Sequence, residues 1–147
     1  MPDDLISATC CFTGHRDLPR YEEQKVLTRV RYLLNPLLDR GVRYFGVGGA
    51  MGFDMLAAEY LLNLRDNGGK KISIISVLPF PSWRNDWPEA EGPGVYLLRD
   101  RKLVDGSAYC ISYCHRTTGG TAYTVRYAMK KGIPVYNASS WDLRQLG

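Results

Sequence analysis

Histidine occurs only twice and tryptophan three times in the 147 residues, and no stretch approaches the roughly 18 consecutive apolar residues of a membrane-spanning helix. No membrane partner is expected. The first residues, M-P-D-D-L-I-S, lack the basic region and apolar core of a secretory signal, so the chain is read as cytoplasmic. Four cysteines, none in a C-x-x-C pair, fall short of a zinc ribbon and in that compartment read as free thiols. There is no G-x-x-x-x-G-K-[ST], so the lysine and hydroxyl of a P-loop are missing. A dinucleotide fingerprint starting at Gly46-Val47-Gly48 would need glycine where Met51 stands. The next strand ends Val77-Leu78-Pro79, with no acid for a ribose diol. NAD-dependent redox chemistry is set aside, and no cofactor is expected. A strong charge of one sign is lacking too: 19 basic against 15 acidic residues give +4. That excess permits anionic ligands but falls short of the basic stripe of a dedicated nucleic-acid binder, so nucleic acid is disfavoured as a partner.

What is present is ordinary globular composition, 45% apolar and 23% charged, in a length that suits one domain over residues 1–147. The organising stretch is Val42 to Glu59. Val42, Tyr44, Phe45 and Val47 read as a buried strand, broken by Gly48, Gly49 and Gly52. Phe53, Leu56, Ala57, Tyr60, Leu61 and Leu64 then form one face of an amphipathic helix. Such a turn aims backbone N–H groups and a helix dipole at an anion. Asp54, in the first helical turn, complements the dipole or holds a ribose hydroxyl.

In chain order, Ser7 to Thr13 predicts a strand ending in Gly14-His15-Arg16, a loop that places a cation and a titratable ring over the strand ends or is simply a solvated turn. Val26, Val30, Leu33, Leu34, Leu37 and Leu38 mark a helix from Tyr21 to Arg40, with Pro36 expected to kink or split it near Leu34. Lys71 to Leu78 predicts the next strand. Phe80 to Pro93 reads as a loop or lid, in which Trp83 and Arg84 suit a nucleobase and a phosphate and Trp87 caps the core edge. Gly94 to Val104 reads as a short helix with Leu103 inward and Arg101 and Lys102 on a solvated face. Ser107 to Tyr113 is a strand, followed by a second glycine-rich turn with Thr118, Gly119, Gly120 and Thr121. The helix after it buries Ala122, Val125, Ala128 and Met129, and Ile133 to Tyr136 ends the sheet. Three helix–glycine–strand joints, before Val42, Ile72 and Ile133, indicate a βαβ series with parallel strands. If the first strand neighbours the one near Cys110, then Cys11, Cys110, Cys114, His15 and His115 approach one another. Zinc is weighed there, but buried free cysteine is the reading adopted and no metal is expected.

These residues carry a resemblance. F-T-G-H-R at Phe12 to Arg16, G-G-A-M-G-F-D-x-x-A-A-E at Gly48 to Glu59, P-F at Pro79 to Phe80, and G-G-T-x-x-T-V-x-x-A at Gly119 to Ala128 followed by K-G-I-P-V resemble the YpsA-like branch of the SLOG superfamily. That superfamily includes the Smf/DprA and LOG groups. The resemblance spans nearly the whole chain and implies a single-domain Rossmann-like α/β three-layer sandwich, a mainly parallel sheet of about five strands with helices on both faces. It implies a nucleotide or nucleotide-derived ligand in the crevice above the sheet, held by Gly14, Arg16, Gly48, Gly49, Gly52, Asp54, Glu59, Gly119, Gly120 and Thr121. Two departures stand out: Ala108, where relatives often carry aspartate, and the bulky C-x-x-x-C-H segment before Thr117.

Two functions of different class follow, with the question of enzyme activity left open. The preferred one is binding or sensing of a nucleotide-derived small molecule, ADP-ribose-like or a nucleoside phosphate. The alternative is a LOG-like N-glycosidic phosphoribohydrolase. Residues Ala122 to Arg126 hold no acid, so catalysis would fall to Asp54 or Glu59. A third reading, DprA-like contact with single-stranded DNA, has only Trp83-Arg84 to hint at it. An exposed tyrosine or leucine helix face would allow a homo-oligomer.

Overall fold

The computed structural model describes residues 3–48, 52–76 and 100–139. Helix α1 (Asp3–Ser7) leads into strand β1 (Thr9–Gly14), then α2 (Arg20–Asp39), β2 (Tyr44–Val47), α3 (Phe53–Asp66) and β3 (Ser73–Ser76). Helical residues 100–105 (α4) precede β4 (Tyr109–Tyr113), α5 (Gly120–Lys130) and β5 (Val135–Asn137). The strands form one sheet in the order β3-β2-β1-β4-β5, with every neighbouring pair parallel.

Alternation along the strands divides the core between two faces. Cys10 and Phe12 of β1, Phe45 and Val47 of β2, and Ile111 and Tyr113 of β4 pack under α2 and α3. Cys11 and Cys110 turn the other way, against Leu103, Val104 and Ala128 of α4 and α5. Gly46 makes room on that face, since a Cβ there would lie 2.8 Å from the Leu103 side chain. Parallel strands covered by helices on both sides make a Rossmann-like three-layer sandwich.

Helix α2 buries all six residues of its predicted stripe, Val26 to Leu38, each worth about 1.5–3 kcal/mol of transfer free energy. Pro19 caps it in an extended conformation, and Glu22 and Glu23 face the positive end of its dipole. The expected split near Leu34 does not occur. Pro36 lies in the last turn, where its missing N–H removes one bond close to the terminus, and buried Leu33, Leu34, Leu37 and Leu38 on either side hold the helix against the core.

Helix α5 corrects a second expectation. Its buried residues are Ala122, Thr124 and Ala128, while Met129 is 64% exposed. The Thr124 hydroxyl lies 2.8 Å from the Gly120 carbonyl and 3.0 Å from Oδ2 of buried Asp100. That polar link to α4 turns the helix, so a hydroxyl rather than a thioether faces inward. No helix among the described residues is long and apolar enough to cross a membrane.

Candidate functional site

Strand order reverses at β1: β2 and β3 lie on one side of it, β4 and β5 on the other. In an open parallel sheet this switch point leaves a crevice beyond the carboxyl ends of the two central strands, where ligands characteristically bind. The crevice here lies above Gly14 and Tyr113, paired in register at the ends of β1 and β4. Each strand continues into the same dipeptide, His15-Arg16 and His115-Arg116, so the chain's two histidines meet.

The His15 and His115 rings approach edge-on, with centroids 4.5 Å apart at 70°. The backbone N–H of His115 donates to Nε2 of His15 at 3.1 Å, and the His15 N–H donates to the Tyr113 carbonyl at 3.2 Å. An accepting Nε2 places the ring proton on Nδ1 in the neutral form. Tyr113 lies edge-on to both imidazoles and stacks on Phe53 at 5.9 Å. His15 is buried; its burial, and then the positive charges of His115 and Arg116, push its pKa below the usual value.

Two glycines let α3 reach this cluster. A Cβ on Gly14 would stand 2.4 Å from the Phe53 ring, and one on Gly52 would stand 2.2 Å from the Arg16 carbonyl oxygen. Gly52 has φ +77° and caps α3, whose Phe53 N–H donates to the His15 carbonyl at 3.2 Å. Both positions thus serve close packing of a helix start on a strand end. Asp54 is buried beside them, whereas Glu59 faces solvent further along α3.

The α5 side is built differently. Gly119, φ +97°, caps the helix, and no acidic residue occupies the first turn. Among the described residues nothing lies within 4 Å of a Cβ placed on Gly119 or Gly120, so this helix start is uncrowded. Thr118, Gly119 and Gly120 are exposed and Thr121 is half-buried. The loop before them is tied down by the Arg126 guanidinium, which donates to the Thr117 carbonyl at 2.8 Å, and by Asn137. The Asn137 amide donates to the Cys114 carbonyl at 2.7 Å and accepts from the Cys114 N–H at 3.2 Å and the Ser139 N–H at 3.0 Å. This side chain continues the β4–β5 ladder one step beyond the strands.

Arg16 and Arg116 are exposed cations of the crevice. Arg116 grips Asp17 with both terminal nitrogens, one bond at 3.0 Å, and this holds the Asp17 carboxyl down at about 2. The structure therefore gathers Gly14, His15, Arg16, Gly52 and Asp54 from one side and Thr118, Gly119, Gly120 and Thr121 from the other. Gly48 is buried just beyond β2. Gly49, Trp83, Arg84, Trp87 and the lid segment lie outside the described residues. Tyr113 and Asp17, which were not candidates, lie here too, with Arg116 and with His115, weighed above only for zinc; the repeated His-Arg after two strands was the available signal.

The weighed zinc cluster separates into parts. Cys11 and Cys110 are register partners buried within the sheet, whereas Cys114 and the histidines lie past the strand ends. Among the described residues no three His, Cys, Asp or Glu side chains gather to hold a metal.

With fold and crevice defined, the molecule is a Rossmann-like α/β protein with a candidate anion site at the sheet's switch point. No protein-family model and no curated protein matches the sequence. Among solved structures it is similar to DNA processing protein A from Helicobacter pylori, in a structure reporting its single-stranded DNA binding mode. That match has 19% identity and TM-score 0.58, covering 92% of this chain and 71% of that one. DNA processing protein A (DprA) from Streptococcus pneumoniae is similar at 21% identity and TM-score 0.60, over 90% of this chain and 50% of that one. At such identities the likeness establishes the fold. It also overturns the expectation that nucleic acid is disfavoured, because the Helicobacter pylori protein, with this fold, binds single-stranded DNA. A mild net charge does not decide the partner class, because it averages over the whole surface.

Proposed function

We propose that this chain binds single-stranded nucleic acid, holding a phosphodiester in the β1/β4 crevice. The observation that carries the reading is the paired His-Arg arrangement facing a glycine-capped α5 whose first turn carries no acid. Backbone N–H groups at that helix start and the guanidinium groups of Arg16 and Arg116 are complementary to a phosphate, and the exposed His115 ring suits a base. The fold shared with a DNA-binding protein supports it.

A free nucleotide or nucleotide-derived ligand is the second reading, favoured by the switch-point position, where sheets of this type hold mononucleotide units. Hydrolysis of such a ligand would rest on Asp54 alone, since Glu59 faces solvent and the first turn of α5 holds no acid. Placement in the SLOG superfamily, with the YpsA-like branch as its finer assignment, rests on the motifs at Phe12–Arg16, Gly48–Glu59 and Gly119–Ala128. A single ligand-binding domain over residues 1–147 in the cytoplasm belongs to the same proposal.

The test is fluorescence anisotropy with labelled dT12, competed by AMP and by ADP-ribose. Arg16→Ala with Arg116→Ala should weaken dT12 binding at least tenfold, and Gly120→Val should do the same without lowering the unfolding midpoint. Undiminished binding by both variants would refute the crevice as the site. Nucleotide competition without dT12 binding would favour the second reading.

A further inference from the structure

Among the described residues outside the crevice, a cluster of charged and aromatic side chains lies on the face formed by α4 and α5. A groove of about 620 Å³ is lined there by Arg101, Tyr123, Arg126, Tyr127, Lys130 and Lys131. The sequence reading assigned the Arg101 face to solvent, and the nucleotide crevice does not use it.

Its cations are organised by tyrosines. The Arg101 guanidinium sits 5.4 Å from the Tyr123 ring centre and 5.7 Å from that of Tyr127, and its Nε donates to the Tyr123 hydroxyl at 2.7 Å. The Lys131 ammonium stands 5.4 Å from the Tyr127 ring. Tyr127 donates to Asp105 at 2.7 Å, and Asp105 lies 3.7 Å from Lys131. Asp105 thus sits between the Tyr127 hydroxyl and the Lys131 ammonium. A guanidinium held by a ring and a neutral hydroxyl keeps its full charge for an outside anion while losing conformational freedom beforehand.

We infer that this face is a second contact for single-stranded nucleic acid, taking the phosphodiester backbone as it leaves the β1/β4 crevice. The inference rests on the function proposed above and adds the route of the strand. Helix α5 begins at the crevice with Gly120 and carries Tyr123, Arg126, Tyr127 and Lys130 along its length to Lys131 at its cap. Eleven residues at 1.5 Å rise make a track about 16 Å long, enough for a few nucleotides. Cations interleaved with tyrosines match the two things a single strand offers, phosphates and the π-faces of bases; an acidic peptide would use the cations alone.

The experiment compares dT4 with dT12 across a salt series, using wild type, Arg101→Ala/Lys130→Ala/Lys131→Ala, and the charge-retaining Arg101→Lys/Lys130→Arg/Lys131→Arg. Wild type should bind dT12 at least tenfold more tightly than dT4. The alanine variant should lose most of that length advantage, and its salt slope on dT12 should fall by about 2, from about 0.7 per single-strand phosphate contact. The charge-retaining variant should keep both. An alanine variant with an unchanged length advantage and slope, while Arg16→Ala/Arg116→Ala still abolishes binding, would overturn the groove and leave the crevice standing. Failure of wild type to bind either oligonucleotide would overturn both.

Discussion

Replacing Gly52 by alanine tests the packing that brings α3 to the crevice. The backbone there, φ +77° and ψ −123°, is one an L side chain rarely adopts, at a cost of about 1–3 kcal/mol. The new methyl would sit 2.2 Å from the Arg16 carbonyl oxygen and 2.7 Å from that of His15. Those atoms are backbone, and the His15 carbonyl already receives the Phe53 N–H, so no flexible side chain can yield. Displacing α3 instead would lift Phe53 from Gly14 and from Tyr113, an overpacking cost of about 1–3 kcal/mol more. Together we expect a loss of about 3–4 kcal/mol, a large part of the 5–15 kcal/mol typical of a domain. In urea the midpoint should fall by about 1–3 M with the slope unchanged. Gly120→Ala is the control, because its Cβ meets no described atom and it should be neutral or slightly stabilising. If the two variants unfold within about 0.5 kcal/mol of each other, the close approach of α3 to the His15-Arg16 turn is not what requires glycine.

His15 gives a pH prediction. Its pKa is lowered in the fold, by burial first and then by His115 and Arg116, so stability is full above the unfolded value near 6.5 and declines as pH falls below it. The urea midpoint of wild type should drop between pH 7.5 and 5 more than that of His15→Gln; equal drops would dismiss His15 as the group responsible. Asp17→Asn should release Arg116 and strengthen dT12 binding, whereas affinity that stays level or falls would mean that Arg116 does not meet the phosphate. Because Asp17 is depressed to about 2, its carboxyl resonance should titrate well below an ordinary aspartate by NMR, the ion pair persisting as pH falls through 4 and breaking only toward 2. Asn137→Ala removes three hydrogen bonds at the β4–β5 end and should cost about 2–3 kcal/mol, with faster exchange of the Cys114 amide; unchanged exchange would argue against the clamp.

Much of this architecture is legible in local pattern. The stripe from Val26 to Leu38 and the face from Phe53 to Leu64 follow from helical spacing, and the helix–glycine–strand joints imply parallel strands, because each depends on residues close in sequence. Strand limits slip by about two residues at the starts of all the strands, β1 to β5, since the pairing that ends a strand comes from its neighbour. Met129 was misplaced for a related reason: a hydrogen bond to Asp100 on α4 decides which side of α5 faces inward.

The crevice divides in the same way. Gly14, Gly52, Gly119 and Gly120 can be picked out from the sequence as breaks at strand ends, because glycine's backbone freedom is a local property. That Gly14 and Gly52 are filled by Phe53 and the Arg16 carbonyl while Gly119 and Gly120 stay clear of the described residues is a matter of what packs above them. His15 and His115 are a hundred positions apart and meet only because β1 and β4 are neighbours in register. The same pairing sets Arg116 on Asp17 and keeps Cys11 and Cys110 in the sheet, apart from the histidines. The sequence alone determined the elements and their apolar faces, through spacing and turn chemistry; strand order, a contact between distant segments, decided which residues share the crevice.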